Sequence, residues 1–221
     1  MFSDLELATN AAIKAGDIIL NYFKSDYEIK EKGYHNPVTT ADKDADNFLK
    51  RTLMEDRPEY GWLSEETVDS KNRLDKDKVW IVDPLDGTQD FVNKTGEFTV
   101  MIGLVENHIP IMGLVYWPTE RKLYFAENGF GAFCHNSQGW TKILVRNIEA
   151  VANSLALVSR HHLSDKEKKM LDHLKIKNIA SIGSSLKVME IAAGRADVYL
   201  TGTNKIKQWD TAASHCIISE A

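Results

Sequence analysis

Trp80-Ile81-Val82-Asp83-Pro84-Leu85-Asp86-Gly87-Thr88 is an apolar run that stops abruptly in two carboxylates, a glycine and a hydroxyl. Val79 to Val82 has the β-branched and aromatic content of a short buried strand. Pro84 has no N–H to give a ladder, so the pattern predicts that the strand ends near Asp83. The proline also stiffens the link between the two acids, which lets both carboxylates and the Leu85 carbonyl converge on one point. Oxygens gathered in that way suit a hard divalent cation. Gly87 allows a tight turn, and Thr88 is placed to cap a following helix whose first N–H groups would face phosphate. The plainer reading is a strand followed by an Asp-Gly turn.

Upstream, Leu5, Ala8, Ala12, Gly16, Ile19, Leu20 and Phe23 recur at helical spacing, which predicts an amphipathic helix over about 4–24. Pro37-Val38-Thr39-Thr40-Ala41-Asp42 is a second helix start, with Thr39 and Asp42 at capping-box spacing and Ala45, Phe48, Leu49, Thr52 and Leu53 on one face. Asp42 reads there as a partner of the helix dipole. Pro58 marks a break, after which Gly61-Trp62-Leu63-Ser64 leads into Glu65-Glu66. Paired glutamates in a loop are ordinarily solvated. A strand end at this point would instead set them beside Asp83.

Downstream, Phe98 to Val105 and Ile109 to Tyr116 read as a long hairpin, and Lys122 to Ala126, Ala132-Phe133 and Lys142 to Val145 continue a meander. Residues 147–153 form the expected boundary, dividing a unit over 1–148, with two helices and a large antiparallel sheet, from a smaller α/β layer over 149–221. In the second part a strand at Leu155 to Ser159 runs into Arg160-His161-His162. A helix over Asp165 to Leu174 and a strand over Asn178 to Ile182 follow. Gly183-Ser184-Ser185 opens a helix closed by Gly194; Ala196 to Leu200 is a strand; Trp209-Asp210-Thr211 opens a final apolar helix in which Asp210 alone reads as an N-cap.

With 221 residues, 43% hydrophobic and 27% charged, the chain is expected to bury a sizeable core. A formal net charge of −5 argues against nucleic-acid binding as its main business. Cys134 and Cys216 stand far apart in apolar settings, as reduced thiols do. The N-terminus has no leader pattern and no run reaches the length of a membrane span, so a cytoplasmic location is expected.

Taken singly, each acid has a plain explanation. Glu65, Asp83, Asp86 and Asp210 nevertheless all sit where a strand or loop ends or a helix begins, and such a cluster repels itself unless cations bind. The set Leu63-Ser64-Glu65-Glu66, Asp83-Pro84-Leu85-Asp86-Gly87-Thr88 and Trp209-Asp210-Thr211-Ala212-Ala213 resembles the signature of the inositol monophosphatase superfamily of magnesium-dependent, lithium-sensitive phosphatases. Within it, Asn36 to Asp42, Gly96-Glu97-Phe98-Thr99-Val100, Ser159-Arg160-His161-His162 and Ser181-Ile182-Gly183-Ser184-Ser185-Leu186-Lys187 are similar to the 3'(2'),5'-bisphosphate nucleotidases of the CysQ type.

The resemblance implies a layered αβαβα sandwich, a mixed α/β (α+β) fold. It implies hydrolysis of the 3'-phosphate of adenosine 3',5'-bisphosphate, a salvage step in sulfur assimilation, and compatibility with a homodimer. It implies two or three Mg²⁺ ions held by Glu65, Asp83, the Leu85 carbonyl, Asp86 and Asp210, with Asp83 as the bridging ligand. Thr88 supported by Asp42 would orient and activate water, with Glu66 as a neighbouring partner. Gly87 and Thr88 N–H groups would bind the scissile phosphate, and His162, Ser184 and Lys187 the rest of the nucleotide. It also implies that chains of this kind continue past Glu220-Ala221 into further strands, so the second layer is expected to be shortened and Asp210 less firmly held. Two other readings stand beside it: a phosphatase of inositol or another sugar phosphate, and a catalytically silent metal or nucleotide sensor.

Overall fold

The computed structural model describes residues 2–25, 28–33, 36–160, 163–202 and 206–221, with side chains described outside 30–37. Helix α1 (Asp4–Phe23) starts at Ser3, whose hydroxyl accepts the Glu6 N–H while the Glu6 carboxylate accepts the Ser3 N–H. A short antiparallel ribbon, β1 (Ile29–Gly33) and β2 (Asn36–Thr39), leads to α2 (Thr40–Asp56). Leu7, Ala8, Ala11, Ala12, Ala15 and Ile19 of α1 and Ala41, Ala45, Leu49 and Leu53 of α2 form one buried cluster with Trp80, Val82, Phe91, Phe98, Ile102 and Leu114. The alanines let the two helices and the sheet approach closely.

The large sheet has seven strands in sequence order: β3 (Gly61–Ser64), β4 (Lys78–Asp86), β5 (Thr99–Glu106), β6 (Ile109–Trp117), β7 (Lys122–Glu127), β8 (Gly131–Asn136) and β9 (Gly139–Ile143). Only β3 and β4 run parallel; the rest is an antiparallel meander. Asn107 and His108 turn the β5–β6 hairpin with φ of 49° and 67°, the left-handed pair that a tight two-residue loop demands. The last strand lies a few residues earlier than the apolar run Lys142 to Val145 suggested.

β4 does not stop at Asp83 but runs through Pro84 to Asp86, with its register against β5 shifting between Asp83 and Asp86. The irregularity leaves Pro84 without a ladder partner, so the missing N–H costs the sheet nothing.

The other face of the large sheet carries α5 (Leu186–Ala192) and α6 (Gln208–Glu220), through Met189, Ala192, Ala213, Cys216 and Ile217 packed on Met101, Val115, Tyr124 and Ala126. Gly103 and Gly113 face each other across β5 and β6 beneath α6. A Cβ at Gly113 would fall 2.1 Å from the Ala213 carbonyl oxygen, and one at Gly103 2.9 Å from the Ala212 Cβ. The helix therefore rests on bare backbone.

α5 touches a small parallel sheet of β10 (Leu155–Val158), β11 (Asn178–Ser181) and β12 (Val198–Tyr199), with β10 in the middle. α4 (Asp165–His173) closes it through Leu171 against Ala156, Val158 and Ile176. The layers are thus α1/α2, large sheet, α5/α6, small sheet and α4, the αβαβα sandwich that the motif resemblance implies. Cys134 and Cys216 are free and buried. Among the described residues no helix is long and apolar enough to cross a membrane.

Candidate active site

β4 delivers its acids to one point because its last residues leave the ladder. The Asp83 carboxylate accepts the Leu85 N–H at 3.0 Å, folding the segment back on itself. Asp83, Asp86 and Asp210 each offer an oxygen within 4.8 Å of the others. Asp210 is not an N-cap: Lys207 holds that place, and the Asp210 carboxylate, in the first turn of α6, accepts the Lys207 N–H at 2.6 Å. Parallel pairing of β3 with β4 brings Glu65 to the same end, its N–H donating to the Val82 carbonyl at 3.3 Å.

The charges at this end repel one another. Burial, then the charges of Glu65, Asp86 and Asp210, hold the Asp83 carboxyl well above the usual carboxylate range. Burial and the Asp86 charge push Asp210 up to about 6. Burial raises Asp86 too, against the nearby Lys187 charge and the Ser185 N–H. An all-oxygen set that takes up protons when left alone is one whose charge a divalent cation would neutralise, so these residues fit such an ion.

Beside the acids, Gly87 turns at φ 94° into a short helix, α3 (Thr88–Val92). Thr88 is the first residue of α3 rather than its cap. Its hydroxyl donates to Asp42 Oδ1 at 3.0 Å, with the Leu85 carbonyl as a second acceptor at 3.2 Å. Asp42 keeps its capping role as well, because Oδ2 accepts the Thr39 N–H at 2.7 Å and the Thr39 hydroxyl at 2.6 Å. Burial foremost, with a contribution from the Glu66 charge, raises the Asp42 carboxyl to about 6, against the bonds from Thr39 and Thr88.

The loop ahead of α5 closes over this site. A Cβ at Gly87 would lie 3.1 Å from that of Ser184, which sits at φ 52°. Ser185 does not cap α5 with its side chain; its N–H donates to Asp86 Oδ2 and its hydroxyl meets Thr99 Oγ1 at 2.8 Å. Lys187 is buried, its ammonium donating to the Ser184 carbonyl at 2.6 Å and to Ile182 at 3.4 Å. Glu97 fixes the loop by accepting the Gly183 N–H at 2.7 Å while holding Arg160. His162, with His161, lies outside the described residues.

Thr99, Ser185 and Glu97 are among the residues that sequence reasoning missed. Thr99 faces Asp86 across β4 and β5, a pairing that becomes visible only when the strand is carried past Pro84. Ser185 and Glu97 act through contacts between distant segments that no local spacing marks.

Comparison with known proteins agrees with this geometry. A model of the inositol monophosphatase family matches residues 3–221. The chain belongs to the inositol monophosphatase family. Within that family, a 3'(2'),5'-bisphosphate nucleotidase CysQ from Salmonella typhimurium is 36% identical over 217 residues, covering 96% of this chain and 86% of the relative. The CysQ crystal structure from Bacteroides thetaiotaomicron is similar at TM-score 0.81 and 33% identity, covering 97% of this chain and 85% of the other. An inositol monophosphatase structure from Anabaena is similar at TM-score 0.80 and 27% identity, covering 98% and 80%. Inositol monophosphatase family membership makes the chain a phosphatase of a metal-dependent family, with a cluster of acids at its site.

Proposed function

We propose that the chain is a Mg²⁺-dependent phosphomonoesterase that hydrolyses the 3'-phosphate of adenosine 3',5'-bisphosphate to AMP and phosphate. The observation that carries the hydrolytic reading is the Thr88–Asp42 hydrogen bond, 3.0 Å long, beside the three-acid cluster. Binding alone calls for the acids; a silent sensor has no use for a hydroxyl whose proton is committed to a buried carboxylate. With that proton held by Asp42, the Thr88 oxygen keeps lone pairs to accept a hydrogen bond from water and fix its direction of attack. Thr39 immobilises Asp42, and the Glu66 charge favours proton uptake there. Glu65, Asp83, the Leu85 carbonyl, Asp86 and Asp210 would hold two or three ions, which when bound acidify water and offset charge on the phosphoryl oxygens. Gly87 and Thr88 offer N–H groups at the start of α3, where a helix leaves them without internal partners.

Support for the nucleotide comes from the Ser184 loop against Gly87 and from the CysQ relatives. In this reading Ser184 meets the nucleotide directly, His162 is a further nucleotide contact, and Lys187 acts by its field, since backbone carbonyls occupy its ammonium. The likeness to an inositol monophosphatase favours a sugar phosphate as the second reading. Phosphate release should be fastest from adenosine 3',5'-bisphosphate, by about tenfold or more in kcat/KM over inositol 1-phosphate and fructose 1,6-bisphosphate. It should vanish in EDTA. Equal rates across the three substrates would defeat the nucleotide assignment.

A pH dependence follows from the raised acids. Asp42 and Asp210 hold protons more tightly folded than unfolded, so their contribution to the stability of the metal-free protein is full below 3.8 and is lost as pH rises through about 6. A cation relieves that loss for Asp210 and its neighbours. The gain in melting temperature from Mg²⁺ over EDTA is therefore expected to be larger at about pH 7.5 than at about pH 5. Equal gains in scanning fluorimetry would contradict cation binding by these acids.

A further inference from the structure

Asp46 is a buried acid that the chemistry above leaves without a task. It follows Asp42 by four residues on α2, which puts the two carboxylates on one helix face, and it is 4% exposed. Asp42 reaches Thr88; Asp46 reaches the other wall of the site. Its Oδ1 accepts the Ser64 hydroxyl and its Oδ2 accepts the Thr67 hydroxyl at 2.7 Å. Ser64 Oγ in turn accepts the Glu66 N–H at 3.3 Å. The segment Ser64-Glu65-Glu66-Thr67 is thus held at both ends by one side chain.

The chemistry of the pair of hydroxyls explains why an acid stands here. Each hydroxyl donates to a separate oxygen, and an amide would offer only one acceptor oxygen. Burying a carboxylate costs solvation that a loop fixed for stability alone would avoid by using apolar contacts. The expense is intelligible if the segment must be placed accurately, because contacts behind a metal ligand govern how tightly the ion is held.

We infer that Asp46 is a positioning residue that aims Glu65 at the metal centre and Glu66 toward Asp42. The inference rests on the proposed role of Glu65 as a ligand. α2 then serves both halves of the chemistry: its first turn orients the water-holding threonine and its second turn orients the cation-holding glutamate.

Calorimetric titration of Mg²⁺ into the metal-free protein tests this without reference to turnover. Asp46→Asn is expected to weaken Mg²⁺ binding by about 10–100-fold, with a smaller loss of kcat at saturating Mg²⁺. Thr67→Val, at a partly exposed position, should weaken binding in the same direction but less, and it decides the matter if Asp46→Asn fails to fold. A purely structural role would lower the melting temperature of the metal-free variants and leave Mg²⁺ affinity unchanged. That result overturns the inference alone. A parent protein that binds no Mg²⁺ overturns both the inference and the metal-dependent reading on which it rests.

Discussion

Asp83→Asn is expected to remove turnover, by about 10³-fold or more in kcat/KM, while raising the melting temperature of the metal-free protein. The two effects have one cause. Asp83 is 1% exposed, and the charges of Glu65, Asp86 and Asp210 all act on it. Asparagine preserves the shape and can still accept the Leu85 N–H, but it removes the charge that a cation needs. Relief equivalent to one unit of proton affinity is worth about 1.4 kcal/mol, or roughly 3–5 °C in a chain of this size. Steady-state phosphate release and melting in EDTA measure both. A variant that lost activity and melted lower in EDTA would show that Asp83 is a structural acid rather than one held in place for a cation.

Gly113→Ala is expected to cost about 3 kcal/mol, a drop of roughly 6–12 °C in melting temperature, because the added methyl meets backbone. The Ala213 carbonyl oxygen would lie 2.1 Å from it, and an oxygen within a helix cannot turn aside. The helix must rise, and Asp210 rises with it. Displacement on the order of 1 Å at a reacting centre can cost about 10²-fold, so activity should fall beyond what the unfolded fraction explains. Gly103→Ala provides the comparison, since there the methyl meets the Ala212 methyl at 2.9 Å and the loss should be smaller. Equal losses at both positions would mean that the helix does not bear on the sheet as described.

The helices with strong periodicity are legible in the sequence: α1 and α2 fall where the apolar spacing puts them because each buries a single continuous face, and the β5–β6 hairpin falls where its β-rich runs put it because helices cover both of its faces. The end of β4 was misjudged because a proline ends a regular strand, whereas here the register shift absorbs it. At Asp42 one oxygen caps α2 and the other accepts the Thr88 hydroxyl. Local spacing could reveal only the first of these. The resemblance assigns Lys187 to the nucleotide, and no local spacing shows that its buried ammonium also donates to the Ser184 and Ile182 carbonyls of its own loop. The partnership of Asp46 with Ser64 and Thr67 left no trace in the spacing, since it depends on how α2 crosses the end of β3.

The placement of Asp210 has a consequence for how the molecule is made. Asp83 and Asp86 belong to a meander whose strands pair with their sequence neighbours, contacts that form readily and early as a chain leaves the ribosome. Asp210 is made well after them, on α6, and reaches the other acids only once that helix has settled on the glycine pair. Until then the nascent chain carries an incomplete acid cluster, and completion of the three-acid group becomes a marker that α6 has docked.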